Sequence, residues 1–316
     1  MPQTVWLVTG TTSGIGAALV DHIISRGDKV IASGRGVEKK LSHLKSDNVA
    51  LLELDIAAGK SVVEAQVKKA WGIFGHIDVL FNNAGMSAFK TLEDADDEFV
   101  NQLFQVNVFG QLHTSQAILP FFRAQGHGTI AFTSSGCAWG ALPFLGHYCM
   151  TKAALSSFAE SLHKEVSHLG INAVAFDLGG FPTRLAQPRE EENGSASAKT
   201  EEVSQQQSPV SEPYAGIFGE YMGLFVPDHS WVIPGDPDKA ASTMVDVIQR
   251  QGVAAGRSWA VRVVIGSDSL VYANKRRREE LQLLEKWKDV SASSDAKEFV
   301  LKPGYEKYIA VAGVEE

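Results

Sequence analysis

Val5-Trp6-Leu7-Val8-Thr9-Gly10-Thr11-Thr12-Ser13-Gly14-Ile15-Gly16 is the stretch from which the rest of the chain can be read. An apolar run at Val5–Thr9 passes into three glycines, and Ile15, Leu19 and Ile23 then recur at helical spacing. A glycine triplet alone marks only a tight turn. Between a strand and an amphipathic helix it reads as a dinucleotide-binding turn. Glycines there let the main chain approach a pyrophosphate and let the helix pack close to its strand. The helix N-terminus adds unpaired amide donors and a positive dipole end.

Outward from that stretch, short apolar runs alternate with helical patterns. The expected strands are Val5–Thr9, Val30–Ser33, Ala50–Leu54, Val79–Phe81, Thr129–Thr133, Asn172–Phe176 and Val261–Ile265. They are nearly continuous apolar runs, as expected of strands covered on both faces. Leu155, Phe158, Leu162 and Val166 mark one helix face among the segments between them. The expected fold is α/β, a doubly wound Rossmann-type parallel sheet of about seven strands with helices on both faces. Residues 1–316 are expected to form a single domain of this type.

Three segments stand outside the repeat. Residues 186–213, from Gln187 to Pro213 rich in Glu, Ser, Gln and Ala, read as a polar, mobile insertion. Residues 214–232, with Phe218, Tyr221, Met222, Leu224, Phe225 and Trp231, read either as a substrate lid or as ordinary helix packing on the core. Residues 272–316 read as a C-terminal helix and tail, amphipathic from Tyr272 to Trp287. The basic run Lys275–Arg278 is expected to be a solvated face of that helix.

Composition narrows the function. Hydrophobic residues make up 44% of the 316 and charged residues 21%, enough apolar matter for a sizeable core. A net charge of −8 argues against nonspecific nucleic-acid binding. Only Cys137 and Cys149 carry thiols, which points to a reducing compartment, and a cytoplasmic location is expected. Histidines and cysteines show no metal-ligand spacing, and no apolar run reaches the roughly 18 residues of a membrane span. Glu93, Asp94, Asp96, Asp97 and Glu98 are expected to solvate a loop and the first turn of a helix.

The end of the second strand bears on cofactor choice. An acid there would bind the adenosine ribose hydroxyls and select NAD(H). Ala32-Ser33-Gly34-Arg35 offers no acid and supplies a guanidinium for a 2′-phosphate, favouring NADP(H) over NAD(H).

Further motifs follow in order: Asp55, Asn82-Asn83-Ala84-Gly85, Asn107 in Val106–Gly110, Ser134-Ser135-Gly136, and Tyr148-Cys149-Met150-Thr151-Lys152. With Thr9–Gly16 they resemble the Thr-Gly-x-x-x-Gly-x-Gly branch of the short-chain dehydrogenases/reductases over nearly all of residues 4–185. The resemblance implies catalytic roles for Ser135, Tyr148, Lys152 and Asn107, with Asn107 holding a proton-relaying water. It implies cofactor contacts from Gly10, Ser13, Gly14, Ile15, Gly16, Arg35, Asp55, Ile56, Asn83, Ala84, Gly85, Tyr148, Lys152, Gly179, Phe181 and Thr183. Ser135 rather than Ser134 matches the serine, lying thirteen residues before Tyr148, and Ser134 is expected to point into the core. A homodimer or homotetramer is the assembly expected.

The chemistry is coherent on elementary grounds. A free phenol titrates near 10, too high for acid–base work at neutrality. Lys152 lies one helical turn from Tyr148, so its ammonium is expected to lower that value. Tyr148 would then protonate a carbonyl oxygen that Ser135 holds, as hydride arrives from the nicotinamide. One departure from the family pattern is Leu178 where Pro usually precedes Gly, and a looser loop at Leu178–Thr183 is expected. The leading reading is an NADP(H)-dependent oxidoreductase, a carbonyl reductase or alcohol dehydrogenase on a largely apolar small molecule. A non-redox isomerase or cyclase on the same scaffold, or an NADP(H)-sensing binding protein, are the alternatives.

Overall fold

A computed structural model gives the protein's three-dimensional structure and describes residues 3–183, 185, 210–224 and 233–311. The expected insertion falls almost wholly outside the described residues, as does the second part of the expected lid. Seven parallel strands form one sheet in the order β3-β2-β1-β4-β5-β6-β7. They are β1 (Val5–Thr9), β2 (Lys29–Gly34), β3 (Val49–Glu53), β4 (Val79–Asn82), β5 (Gly128–Ser135), β6 (Ile171–Leu178) and β7 (Arg262–Ile265). The expected strands agree with these to within a few residues at each end.

Alternation along β1 explains the layers. Trp6 and Val8 enter one core with Ile15, Leu19 and Ile23 of helix α1 (Gly14–Ser25) and with Met244 of a helix at Pro237–Gln249. Val5 and Leu7 enter the opposite core with Val63 and Val67 of α2 (Lys60–Phe74) and with Leu155 and Leu162. Burying a Leu, Ile or Phe side chain on either face is worth about 1.5–3 kcal/mol. Strands buried on both faces can therefore dispense with polar residues.

β1 pairs with β2 on one side and β4 on the other, so the chain reverses its direction of winding between them. In such sheets a crevice opens at the carboxyl ends of the strands at this point. The glycine turn at Gly10–Gly16 lies there. Around it gather the loops after β4, β5 and β6.

The remaining helices of eight or more residues among the described ones are α3 (Asp97–Phe104), α4 (Gly110–Gln125), α5 (Gly146–Val166), α6 (Glu212–Gly223), α7 (Pro237–Gln249) and α8 (Ser267–Ala292). Helix α8 spans the expected C-terminal helix and leaves its apolar residues uncovered. Only Ser269 and Ala273 are buried in it, whereas Leu281, Leu283, Leu284, Trp287 and Val290 are exposed. The basic run sits on solvated turns, with Arg276 and Arg277 reaching Glu280 at 3.0 and 3.3 Å. No helix among the described residues is long and apolar enough to cross a membrane.

Candidate active site

The glycine turn is built for close approach. Gly10 has φ +70°, and a Cβ there would stand 2.7 Å from the Ala84 Cα. A Cβ on Gly16 would stand 2.2 Å from the Gly10 carbonyl oxygen, so neither position tolerates a side chain. Ser13 precedes α1 without a side-chain cap, which leaves the first-turn amides of Gly14, Ile15 and Gly16 without an intrahelical acceptor. That free row of donors, with a glycine floor, fits a pyrophosphate.

Asn83 is a clamp for this turn. Its Nδ2 donates to the carbonyl oxygens of Thr9 and Gly10, both at 3.1 Å, and its Oδ1 accepts from Thr133 Oγ1 at 3.1 Å. Thr9 Oγ1 accepts the Asn83 and Ala84 amides. Thr183, from the loop after β6, closes the other side: a Cβ on Gly14 would meet its Cβ at 3.2 Å. At the end of β2, Arg35 is half-buried and has no ion-pair partner among the described residues. The nearby Glu53 carboxylate instead accepts the Gly36 and Glu38 amides at 2.8 Å. Asp55 is exposed and accepts the Ala57 amide, while Ile56 is buried beside Gly110.

β5 and α5 bring three of the expected catalytic side chains together. Ser135 ends β5, and Tyr148 and Lys152 share one face of α5; all three are at least nine-tenths buried. Ser135 stands close enough to the Tyr148 phenol to favour its charged form. Lys152 Nζ donates to the Thr133 carbonyl at 2.7 Å and sits 5.6 Å from the centre of the Tyr148 ring. Ser134 points inward, as expected, with its Oγ 2.7 Å from Ser156 Oγ. Ser156 in turn donates to Asp177, which pairs with Arg262 at 2.8 Å.

The electrostatics differ from the expectation. Burial pushes the Tyr148 phenol up rather than down, with Ser135 opposing it. The physical reason is that desolvation of the buried phenol outweighs what favours its charged form, with Lys152 Nζ 5.6 Å from the ring centre. Burial also lowers Lys152 to about 8, against the pull of the Cys137 thiol and the Asp177 carboxylate. The chain as it stands therefore keeps Tyr148 protonated.

Asn107 sits in a π turn, Gln105–Phe109, between α3 and α4. Such turns cluster at functional positions, and nothing in the residue pattern announced this one. The Asn107 amide is fully engaged: Nδ2 donates to the Met86 carbonyl at 2.8 Å and to Thr151 Oγ1 at 3.1 Å, and Oδ1 accepts the Met86 amide at 2.9 Å. Its side chain ties the loop after β4 to α5. A Cβ on Gly85 would lie 3.4 Å from Asn107 Oδ1 and 3.7 Å from Lys152 Nζ.

The loop after β6 corrects a second expectation. Leu178 continues the strand, opposite Ser135 and Ile265, with its side chain in the core. The loop is not loose, because Asp268 Oδ2 accepts the Gly180 amide at 2.6 Å and the Gly180 carbonyl accepts the Gly235 amide at 3.1 Å. A carboxylate from α8 thus does what proline's fixed φ does elsewhere. Phe181 packs on Gly235 and on the core beneath.

Above Tyr148 the acidic loop turns out to do more than solvate. Asp96 caps α3 through the Phe99 amide, as expected. Asp94, however, accepts both the amide and the hydroxyl of Ser211, and Glu93 accepts the Tyr214 hydroxyl, so this loop holds the start of α6. Phe144 has φ +62°, a strained value for an aromatic residue, and its ring meets Phe218 and Tyr221 of α6 at 4.9 and 5.7 Å. Phe89 meets Tyr221 at 6.4 Å. Two residues given to the polar insertion, Glu212 and Pro213, open this helix.

Comparison with known proteins agrees with this geometry. A family model described as short chain dehydrogenase matches residues 4–194. An oxidoreductase of Botryotinia fuckeliana, BOA17, is 30% identical over 295 residues, covering 92% of this chain and 98% of its own. The NADPH-dependent 1-acyldihydroxyacetone phosphate reductase of Saccharomyces cerevisiae is 31% identical over 192 residues, 60% of this chain and 64% of its own. A crystal structure of a short-chain dehydrogenase from Streptomyces avermitilis superposes with a TM-score of 0.77 at 27% identity, covering 93% of this chain and 99% of that one. The chain belongs to the short-chain dehydrogenase/reductase family of oxidoreductases.

Proposed function

We propose that this protein is an NADP(H)-dependent carbonyl reductase or alcohol dehydrogenase acting on a largely apolar small molecule. The observation that carries the reading is the buried Tyr148 phenol gathered with Ser135 and Lys152 by β5 and α5, where burial favours its neutral form. A neutral phenol is a loaded proton donor, which suits the reductive direction. When bound, the reduced nicotinamide would supply the hydride.

The chain's own residues do the rest. Gly10, Ser13, Gly14, Ile15 and Gly16 would seat the pyrophosphate; Asp55 and Ile56 would border the adenine. Ala84, Gly85, Gly179, Phe181 and Thr183 would line the nicotinamide half, with Asn83 holding the turn that receives it. Lys152 would bind the nicotinamide ribose. Ser135 would hold the substrate oxygen while Tyr148 delivers its proton, and Asn107 would keep the loop at Met86 against α5 beside the proton path. The Arg35 guanidinium, without an ion-pair partner among the described residues, supports a 2′-phosphate and hence NADP(H), as does the Saccharomyces relative's description as NADPH-dependent. The aromatic contacts of Phe144, Phe218, Tyr221 and Phe89 support an apolar substrate beneath α6, which acts as its cover.

The test is loss of nicotinamide absorbance with a panel of aldehydes and ketones graded in apolar surface. NADPH is consumed in step with alcohol formed, most rapidly with the apolar members. Product formed with the cofactor unchanged would instead make the protein a non-redox isomerase or cyclase.

A further inference from the structure

Helix α8 carries one continuous stripe. Ser269, Ala273, Arg276, Glu280, Leu283 and Trp287 follow one another by four and three residues in turn, and Val290 continues the series. At the start of the helix the protein's own body covers that stripe. Ser269 and Ala273 are buried, and Ser269 Oγ donates to the Asp177 carbonyl at 3.1 Å. From Leu283 onward the stripe is bare. Leu283, Trp287 and Val290 are 54%, 54% and 59% exposed, and Leu281 and Leu284 beside them 65% and 68%. At 26 residues the helix is about 39 Å long, and every residue from Leu281 to Ala292 is exposed.

A contiguous bare apolar patch with a polar border marks an interaction surface. Here the patch forms a groove with Arg277 and Glu280 at one end and Ser291 at the other. Charge selects what fills it. Lys275–Arg278 sets four cations before the patch, whereas Glu279–Asp289 holds four acids against two lysines. Two such helices laid parallel would set cations against cations. Laid antiparallel, the cationic block of each lies beside the acid-rich half of the other, and the helix dipoles oppose as well. The surface is thus complementary to itself, which is what a two-fold interface requires. An anionic lipid surface fits less well, because the four acids share the helix and the chain carries −8 overall.

We propose that a second copy of this chain docks on the second half of α8, the two helices lying antiparallel about a two-fold axis near Leu284. Leu283 of each copy then packs on Trp287 of the other, and the two Leu284 side chains meet beside the axis. Trp287 is the anchor of the interface, a large side chain that is more than half exposed in the single chain.

The pairing does not depend on the oxidoreductase reading, since none of its residues belongs to the crevice. One helix pair buries less than the roughly 1,600 Å² of a standard interface, so association in the micromolar range is expected.

The test compares the full-length chain with a variant carrying Leu283→Glu and Trp287→Glu together, by sedimentation and light scattering over roughly 1–100 μM. Both side chains are exposed, so the variant should keep the wild-type circular dichroism and Tm. At the upper concentrations the wild-type assembly should have twice the mass of the variant's. Equal masses overturn the proposal, whatever other face of the chain also pairs. Single cysteines then read the orientation without disturbing the charges. Under mild oxidation Leu284→Cys should link to its own copy through that position, as mapped on unreduced peptides. Val290→Cys should not, because an antiparallel pair holds the two Val290 positions about 15 Å apart along the helix axis. A link at Val290→Cys, or none at Leu284→Cys, overturns the antiparallel pair. A chain that stays single and instead pellets with vesicles of phosphatidylserine and phosphatidylcholine overturns it as well.

Discussion

Two regions bound the proposed substrate space, and they are held by different forces. The floor is β5 and α5. Ser135, Tyr148 and Lys152 are nearly inaccessible there, on backbone set by sheet ladders and helix bonds. The proposed cover is α6, which contains no fully buried residue and is held by side chains: Ser211 on Asp94, Tyr214 on Glu93, and a few ring contacts. An element with so few buried contacts belongs to the low-stability end of a fold. Under the proposed function, a rigid floor keeps the proton-transfer geometry preorganised while a loosely held cover leaves substrate fit adjustable. Substitutions in the floor should act on kcat, and substitutions in the cover on KM.

The largest expected effect breaks the floor. Tyr148→Phe removes the transferable proton and little else. Turnover should fall by about 10²–10⁴-fold, with cofactor affinity unchanged within a few-fold. A variant keeping more than about a tenth of wild-type kcat would remove Tyr148 from the chemistry.

Lys152→Ala should lower both turnover and cofactor affinity, since Lys152 is assigned the ribose as well as the neighbourhood of the phenol. The same residue sets a pH limit. Lys152 is depressed to about 8 in the folded chain, so its charge is present below that pH and lost above it. In the wild type, kcat/KM for NADPH, which reports the free enzyme, should decline as pH rises through about 8. A profile flat across that range would separate Lys152's charge from function.

Arg35→Ala should leave the floor untouched and shrink the NADPH-over-NADH preference. A guanidinium–phosphate bond is worth roughly 1.5–3 kcal/mol, or roughly 10- to 150-fold in the ratio of dissociation constants. An unchanged ratio would mean that Arg35 serves elsewhere.

The smallest effect sharpens the other side of the comparison. Asp94→Ala releases Ser211 and loosens the start of α6. KM for an apolar substrate should rise several-fold with kcat within about twofold, because the cover is uncoupled while Ser135 and Tyr148 stay in place. Steady-state kinetics at saturating NADPH decides this, and equal falls in kcat and kcat/KM would show that α6 takes part in the chemical step.

The floor was legible in the sequence because it rests on local spacing. Glycines at a strand–helix turn, a serine at a strand end and a Tyr-x-x-x-Lys pair on one helix face are all set by neighbours in the chain. The cover was not, because its contacts join residues far apart: Ser211 and Asp94 carry no pattern that pairs them. The acidic loop read as solvated for the same reason, since acids at a helix start satisfy the dipole whether or not they also bind something else. Leu178 misled in a further way. The missing proline was visible, whereas its substitute, Asp268 on the Gly180 amide, lies on another helix. The lysine–phenol expectation failed on direction: spacing brought the two side chains onto one face, but burial, which spacing does not report, outweighed their interaction.

The most direct measurement follows the hydride itself. Wild-type protein is supplied with NADPH carrying deuterium at the transferable position of the nicotinamide and with the best apolar carbonyl compound of the panel, and the alcohol is examined by mass spectrometry and NMR. One deuterium is expected on the carbinol carbon, with no alcohol formed by Tyr148→Phe above the level set by its residual turnover. Product without the label, or product formed while the labelled cofactor stays intact, would contradict it.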